Sequence, residues 1–124
     1  LVLAGRVLSF YSLRKDSRNE VRDFLKKCRK DRTNDYKTII EQISIFSENG
    51  ITGQTSRFKR VRQNLYEIRV DNIRIFAFFD GREIIILTHG IVKKGKKSQT
   101  RQIEKAEKTR DTYLGKRQSK KGEK

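Results

Sequence analysis

The sequence predicts an α+β domain in which an N-terminal strand and a helical hairpin pack on a small antiparallel β-sheet, with a C-terminal helix following. Three observations carry this. Residues 65–92 hold three apolar runs separated by Asp71-Asn72 and Asp80-Gly81, residue pairs that tolerate the positive φ of tight hairpin turns. Residues 17–50 repeat their apolar positions at helical rather than alternating spacing. A second helical pattern follows the lysine run at 93–97.

Taken in order, residues 6–13 (RVLSFYSL) are β-branched and aromatic enough for a first strand. Ser17 and Glu20 form an S-x-x-E capping box that satisfies free amides at a helix start. Val21, Phe24, Leu25 and Cys28 then fall on one helical face. Thr33 and Asn34 announce a second helix, whose buried face is Tyr36, Ile39, Ile40, Ile43 and Phe46 and whose stop is Gly50. Residues 51–57 read as a loop, and 58–63 as the next strand.

In the strand 65–70, Tyr66, Ile68 and Val70 alternate with Glu67 and Arg69. In the following strand Ile73, Ile75, Ala77 and Phe79 share a face opposite Arg74, Phe76 and Phe78. Residues 84–87 are apolar on both faces, which predicts a central strand. Ser98 or Thr100 opens the last helix, carrying Ile103, Ala106, Tyr113 and Leu114. Residues 1–115 therefore form one domain, and the basic stretch 116–124, with no apolar face, reads as a disordered tail.

Charge narrows the partner. A net +16 on 124 residues favours a polyanion, and the excess is uneven: 11 Lys and Arg face 7 Asp and Glu in residues 1–50, but 20 face 8 in the remainder. The single Cys28 excludes an internal disulfide and fits a reducing cytoplasm, where core packing is its expected role. No apolar stretch approaches the roughly 20 residues that cross a bilayer, so no membrane partner is expected. The apolar start carries Arg6 in its middle, unlike a signal peptide, and residues 1–5 read as a processed or added end.

The order FKRVRQNLYEIRV, IRIFAFFDG, IIILTHGIVKKGKKSQTRQIEKA resembles the HigB-like, phage-derived branch of the RelE/ParE toxin superfamily. The resemblance runs from Phe10 to Leu114, and its most specific parts are residues 65–69, Arg74 before an apolar strand, and His89 with Lys93, Lys94, Lys97 and Ser98. Gln99 stands where a proline is usual, and Gln102 where an acidic residue is usual. The resemblance implies a RelE-like fold and a toxin of a type II toxin–antitoxin pair, acting as an endoribonuclease on messenger RNA at the ribosome. It also implies contact with 16S ribosomal RNA and a helix-turn-helix, HigA-like antitoxin. Two alternatives share the sequence: a ParE-like inhibitor of DNA gyrase, and a phage protein that binds nucleic acid without cleaving it.

The residues themselves leave metal-free RNA cleavage open and expect no cofactor. With one His, one Cys and scattered carboxylates, no metal-ligand spacing recurs. RNA supplies its own nucleophile, the 2′-OH, and fixed cations stabilise the charge that builds on phosphorus oxygens. Arg69 and Arg74 suit that task, since an arginine does not readily lend a proton. Lys93 or Lys94, crowded by like charges, suits proton transfer. Glu67 is a candidate base or an orienter of Arg69, and His89 a candidate proton carrier or a hydrogen-bonded core residue. Arg57, Lys59, Arg60, Arg62, Lys96, Lys97 and Arg101 read as grips on RNA or ribosome phosphates. Phe76 and Phe78 either stack a base or pack under a helix. On this reading Arg74→Ala abolishes cleavage and leaves the fold intact.

Overall fold

The protein is seen here as a computed structural model that describes residues 3–5, 7–14, 17–51 and 56–122, without the side chains of 3–4 and 116–122. In chain order the elements are β1 (Leu3–Ala4), β2 (Ser9–Ser12), α1 (Glu20–Asp31), α2 (Thr33–Asn49), β3 (Phe58–Arg62), β4 (Leu65–Val70), β5 (Ile73–Asp80), β6 (Ile84–Val92) and α3 (Lys96–Gly122). The strands form one sheet in the order β1-β2-β6-β5-β4-β3. The expected α+β fold, RelE-like with a C-terminal helix, is present.

Local chemistry explains the turns. Val70 pairs with Ile73 across Asp71-Asn72, and Asp71 takes φ 52°. Asp80 pairs with Ile84, so this hairpin loop is the three residues 81–83 with Gly81 at φ 81°, one longer than a two-residue turn. Between β3 and β4, Asn64 sits at φ 47° and clamps the turn onto β5. Its side chain donates to the Phe79 carbonyl at 3.0 Å and accepts from the Phe79 amide at 2.9 Å.

Several details differ from the sequence reading. The sheet is mixed, because β2 runs parallel to β6 while its other neighbours pair antiparallel. Strand β2 covers only Ser9–Ser12, and Arg6 lies outside the described residues. Leu3 and Ala4, within the stretch read as a processed or added end, pair with Phe10 and Ser9. The cap of α1 is Asn19 rather than Ser17. Its side chain accepts from the Arg22 amide at 3.0 Å and donates to Ser12 Oγ at 2.7 Å, so one residue both starts the helix and ties it to β2. Thr33 does not cap α2, because its hydroxyl bonds back to the Arg29 carbonyl.

Helix α3 starts at Lys96, before Ser98, and runs through Gly115 to Gly122, past the point where a disordered tail was expected. One interior glycine costs about 1 kcal/mol, and the Lys, Arg and Gln around it are good helix formers. Residues 123–124 lie outside the described residues.

Both sheet faces are covered. On one, α1 and α2 bury Val21, Leu25, Cys28, Ile39, Ile43 and Phe46 against Ile68, Ile73, Ile75, Ala77, Ile85 and Leu87. On the other, α3 lays Ala106 and Ile103 over Leu65 and Phe76, and Tyr113 packs against Phe78 at 5.4 Å. Phe76 and Phe78 are therefore fully buried under a helix rather than offered to a base.

A β-bulge decides which layer receives His89. The register passes from Ala77↔Leu87 to Phe76↔His89, leaving Thr88 unpaired, and an extra residue reverses the alternation beyond it. His89 consequently shares the α3 face with Phe76, and Gly90 turns toward α1, where the Phe24 ring lies on it. A Cβ at position 90 would land inside that ring. Gly90→Ala is expected to lower stability by about 1–3 kcal/mol through overpacking. Thermal melting checks this, and an unchanged midpoint would mean that Phe24 moves aside freely.

Candidate active site

Antiparallel pairing assembles the site. Lys59 of β3 lies opposite Glu67 of β4, and Arg69 of β4 lies opposite Arg74 of β5. Glu67 is fully buried under α3. Arg69 Nε donates to Glu67 Oε1 at 2.6 Å, and Gln99, in the first turn of α3, brings its Nε2 to 3.1 Å from Oε2. Beside them opens a groove of about 410 Å³ lined by Lys59, Arg60, Glu67, Arg69, Lys96 and Gln99, with Val61, Thr100 and Ile103 completing the wall. Four cationic side chains thus surround a buried carboxylate.

Arg74 plays another part. Its Nη1 donates to the carbonyls of Asp71 at 2.7 Å and Ile73 at 2.9 Å, inside the β4–β5 turn. Its Nε, 3.7 Å from Glu67 Oε1, is buried with no hydrogen-bond partner among the described residues. Burial, then the like charge of Arg69, push the Arg74 guanidinium below its ordinary pKa, and Glu67 opposes them.

The Glu67 carboxylate is closed to solvent, with donors already on both oxygens, and it holds the Arg69 guanidinium at 2.6 Å.

His89 lies apart from this groove. It lines a separate cleft of about 140 Å³ with Arg18, Glu20, Lys105 and Lys108. Its Nδ1 is 3.1 Å from Thr88 Oγ1 and its Nε2 2.9 Å from Gln102 Oε1, so the imidazole bridges β6 to α3. Burial, then Lys105, push His89 down to about 4, against the Gln102 bond and Glu20.

A pH dependence follows from that shift. Between about 6.5 and 4 the unfolded chain carries a proton on this imidazole that the folded chain lacks, so stability falls as the pH drops through the window. The full effect is about 3 kcal/mol. Urea midpoints of the wild type and His89→Gln across the window check it. The variant is expected to give the flatter profile, and parallel profiles would assign the acid sensitivity elsewhere.

The remaining candidates disperse. Arg57 reaches the Arg69 carbonyl at 3.5 Å, and Arg62 pairs with Glu107 at 2.7 Å, pinning β3 to α3. Lys93 is half-buried, with its amide on the Asn72 carbonyl, while Lys94, Lys97 and Arg101 are exposed beyond the groove. Sequence reasoning missed Gln99 as a partner of Glu67 and Gln102 as a partner of His89. Both were visible only as the two departures from the resemblance.

The family model of the phage-derived Gp49-like proteins (DUF891) matches residues 23–111, well over half of the chain. The chain belongs to that family. The Gp49-like proteins are a RelE/HigB-like toxin family. The matched Gp49-like span holds every groove residue, both arginines of the β4–β5 pair and His89, and leaves out β1 and β2. No curated protein matches the chain. Among the described residues no helix is long and apolar enough to cross a membrane.

Proposed function

We propose that this Gp49-like chain is the toxin of a toxin–antitoxin pair, a cytoplasmic endoribonuclease of the HigB-like branch that cuts messenger RNA on the ribosome. The observation that carries the reading is the groove in which a fully buried Glu67 holds Arg69 between Lys59, Arg60 and Lys96. In the proposed step the 2′-oxygen attacks the adjacent phosphorus, the bond to the 5′-oxygen breaks, and the products are a 2′,3′-cyclic phosphate and a 5′-hydroxyl. The proton leaving the 2′-OH and the proton gained by the 5′-oxygen balance, so no co-reactant is needed.

Arg69 stabilises the charge on the phosphorane oxygens, a contribution on the order of 10²–10³-fold for one such donor. The ammonium groups of Lys93, Lys94 and Lys96, where the chain enters α3, are the candidates for protonating the leaving 5′-oxygen, and of these Lys96 lines the groove. Arg57, Lys59, Arg60, Arg62, Lys97 and Arg101 supply attraction to message and 16S ribosomal RNA phosphates. A helix-turn-helix, HigA-like antitoxin covers the toxin.

The test is tight induction followed by mapping of transcript ends. Growth arrest with new 5′-hydroxyl ends in translated messages is expected. Arrest with whole messages and DNA-damage signalling would replace the ribonuclease by a gyrase inhibitor, and unimpaired growth would overturn the toxin assignment.

A further inference from the structure

The two oxygens of Glu67 are held from different elements. Because the side chain is fully buried, both oxygens need protein donors. Oε1 takes Arg69 Nε at 2.6 Å, from the same strand. Gln99 Nε2 lies 3.4 Å from Oε1 and 3.1 Å from Oε2, and among the described residues it is the side chain that serves Oε2. A carboxylate only accepts, so the Gln99 amide must present its NH₂ edge, and that orientation leaves no ambiguity between its nitrogen and oxygen. Arg69 spends its Nε on this contact, and neither Nη has a protein partner among the described residues.

We propose that Gln99 is a positioning residue: it locks Glu67 from the first turn of α3, and through Glu67 sets the direction in which Arg69 offers its Nη groups to a phosphodiester in the groove. Without the amide, Oε2 is a buried acceptor with no donor, and the carboxylate turns to share its remaining partners. The Arg69 guanidinium turns with it. A displacement near 1 Å at a group that meets the transition state costs about 10²-fold in rate. Gln99 also joins the floor of the groove on β4 to its wall on α3, so the position of α3 is communicated to Arg69. This inference rests on the ribonuclease reading.

The test uses Gln99→Leu, which keeps side-chain bulk and removes the donor, and Gln99→Ala, which favours the helix, both in the full chain. The first readout is the Arg69 Nε–H resonance, assigned by its loss in Arg69→Lys. A sharp, slowly exchanging signal is expected in the wild type, and a shifted or broadened one in both variants. The second is message cleavage on translating ribosomes, where kcat is expected to fall about 10²-fold with KM unchanged. An unmoved Arg69 signal with wild-type kcat in either folded variant overturns the proposal, and a loss confined to KM overturns it in favour of a plain binding contact. If the wild type cleaves nothing while the Arg69 signal still responds to Gln99, the ribonuclease reading falls, and the role toward a phosphodiester falls with it. The coupling of Gln99 to Arg69 then stands by itself.

Discussion

Arg69→Met is expected to slow message cleavage on the order of 10²–10³-fold and to lower stability by about 3 kcal/mol, because it strands a carboxylate that no water reaches. The two losses have separate causes, and a double variant separates them. In the native chain the 2.6 Å contact between Arg69 Nε and Glu67 Oε1 neutralises a charge on the sheet face under α3. With the arginine gone, Gln99 and the more distant Arg74 Nε remain near the carboxylate, which keeps the cost toward the low end of the range for a broken buried pair.

Adding Glu67→Leu removes the stranded charge and supplies apolar volume beside Leu65 and Phe76, so most of the lost stability is expected to return. Cleavage is not expected to return, since no guanidinium then faces the phosphate. Single-turnover cleavage is expected to stay down on the order of 10²–10³-fold in both variants. Urea unfolding of the two single variants and the double variant gives the coupling. A double variant that is stable and cleaves at the wild-type rate would remove this pair from the active site.

The hairpin core of the fold was legible because each strand and turn answers to local rules. The alternation in β4 and β5, Asp71 at its positive φ and Gly50 at the end of α2 all depend on neighbours in sequence. The parallel pairing of β2 with β6 was not legible, because two strands separated by more than seventy residues carry no signal of relative direction. The placement of His89 was lost for a different reason. A one-residue bulge at Thr88 reverses the side-chain alternation, and nothing in the pattern ILTHGIV marks it.

The groove was half visible. Glu67, Arg69, Lys59, Arg60 and Lys96 could be nominated by charge alone, while Gln99 carries no charge and enters only when α3 folds over β4. Charge does not tell which members of the lysine run face inward: Lys96 lines the groove, whereas Lys93, Lys94, Lys97 and Arg101 do not.

Arg74→Ala is expected to act on the fold first, in contrast to what the sequence suggests. Its side chain is nine-tenths buried, and Nη1 bridges the Asp71 and Ile73 carbonyls across the β4–β5 turn. Truncation removes a donor shared by two acceptors and leaves a void beside Glu67. The Ile73 carbonyl contact is buried, whereas the Asp71 contact is only partly so and water compensates some of its loss. A cost of about 2–4 kcal/mol is expected, read as a drop in the urea midpoint. Arg74→Lys keeps the charge but cannot reproduce the forked geometry, so it should recover only part of this.

Rate per folded molecule then separates scaffold from catalyst. Arg74 does not line the groove, and its Nη1 is already committed to backbone. Cleavage corrected for the folded fraction is therefore expected to fall by no more than about tenfold, against the 10²–10³-fold expected of a group that meets the transition state. A corrected loss as large as that of Arg69→Met would return Arg74 to the phosphate. It would mean that the turn opens when RNA binds, releasing the guanidinium from the Asp71 and Ile73 carbonyls that hold it in the free protein.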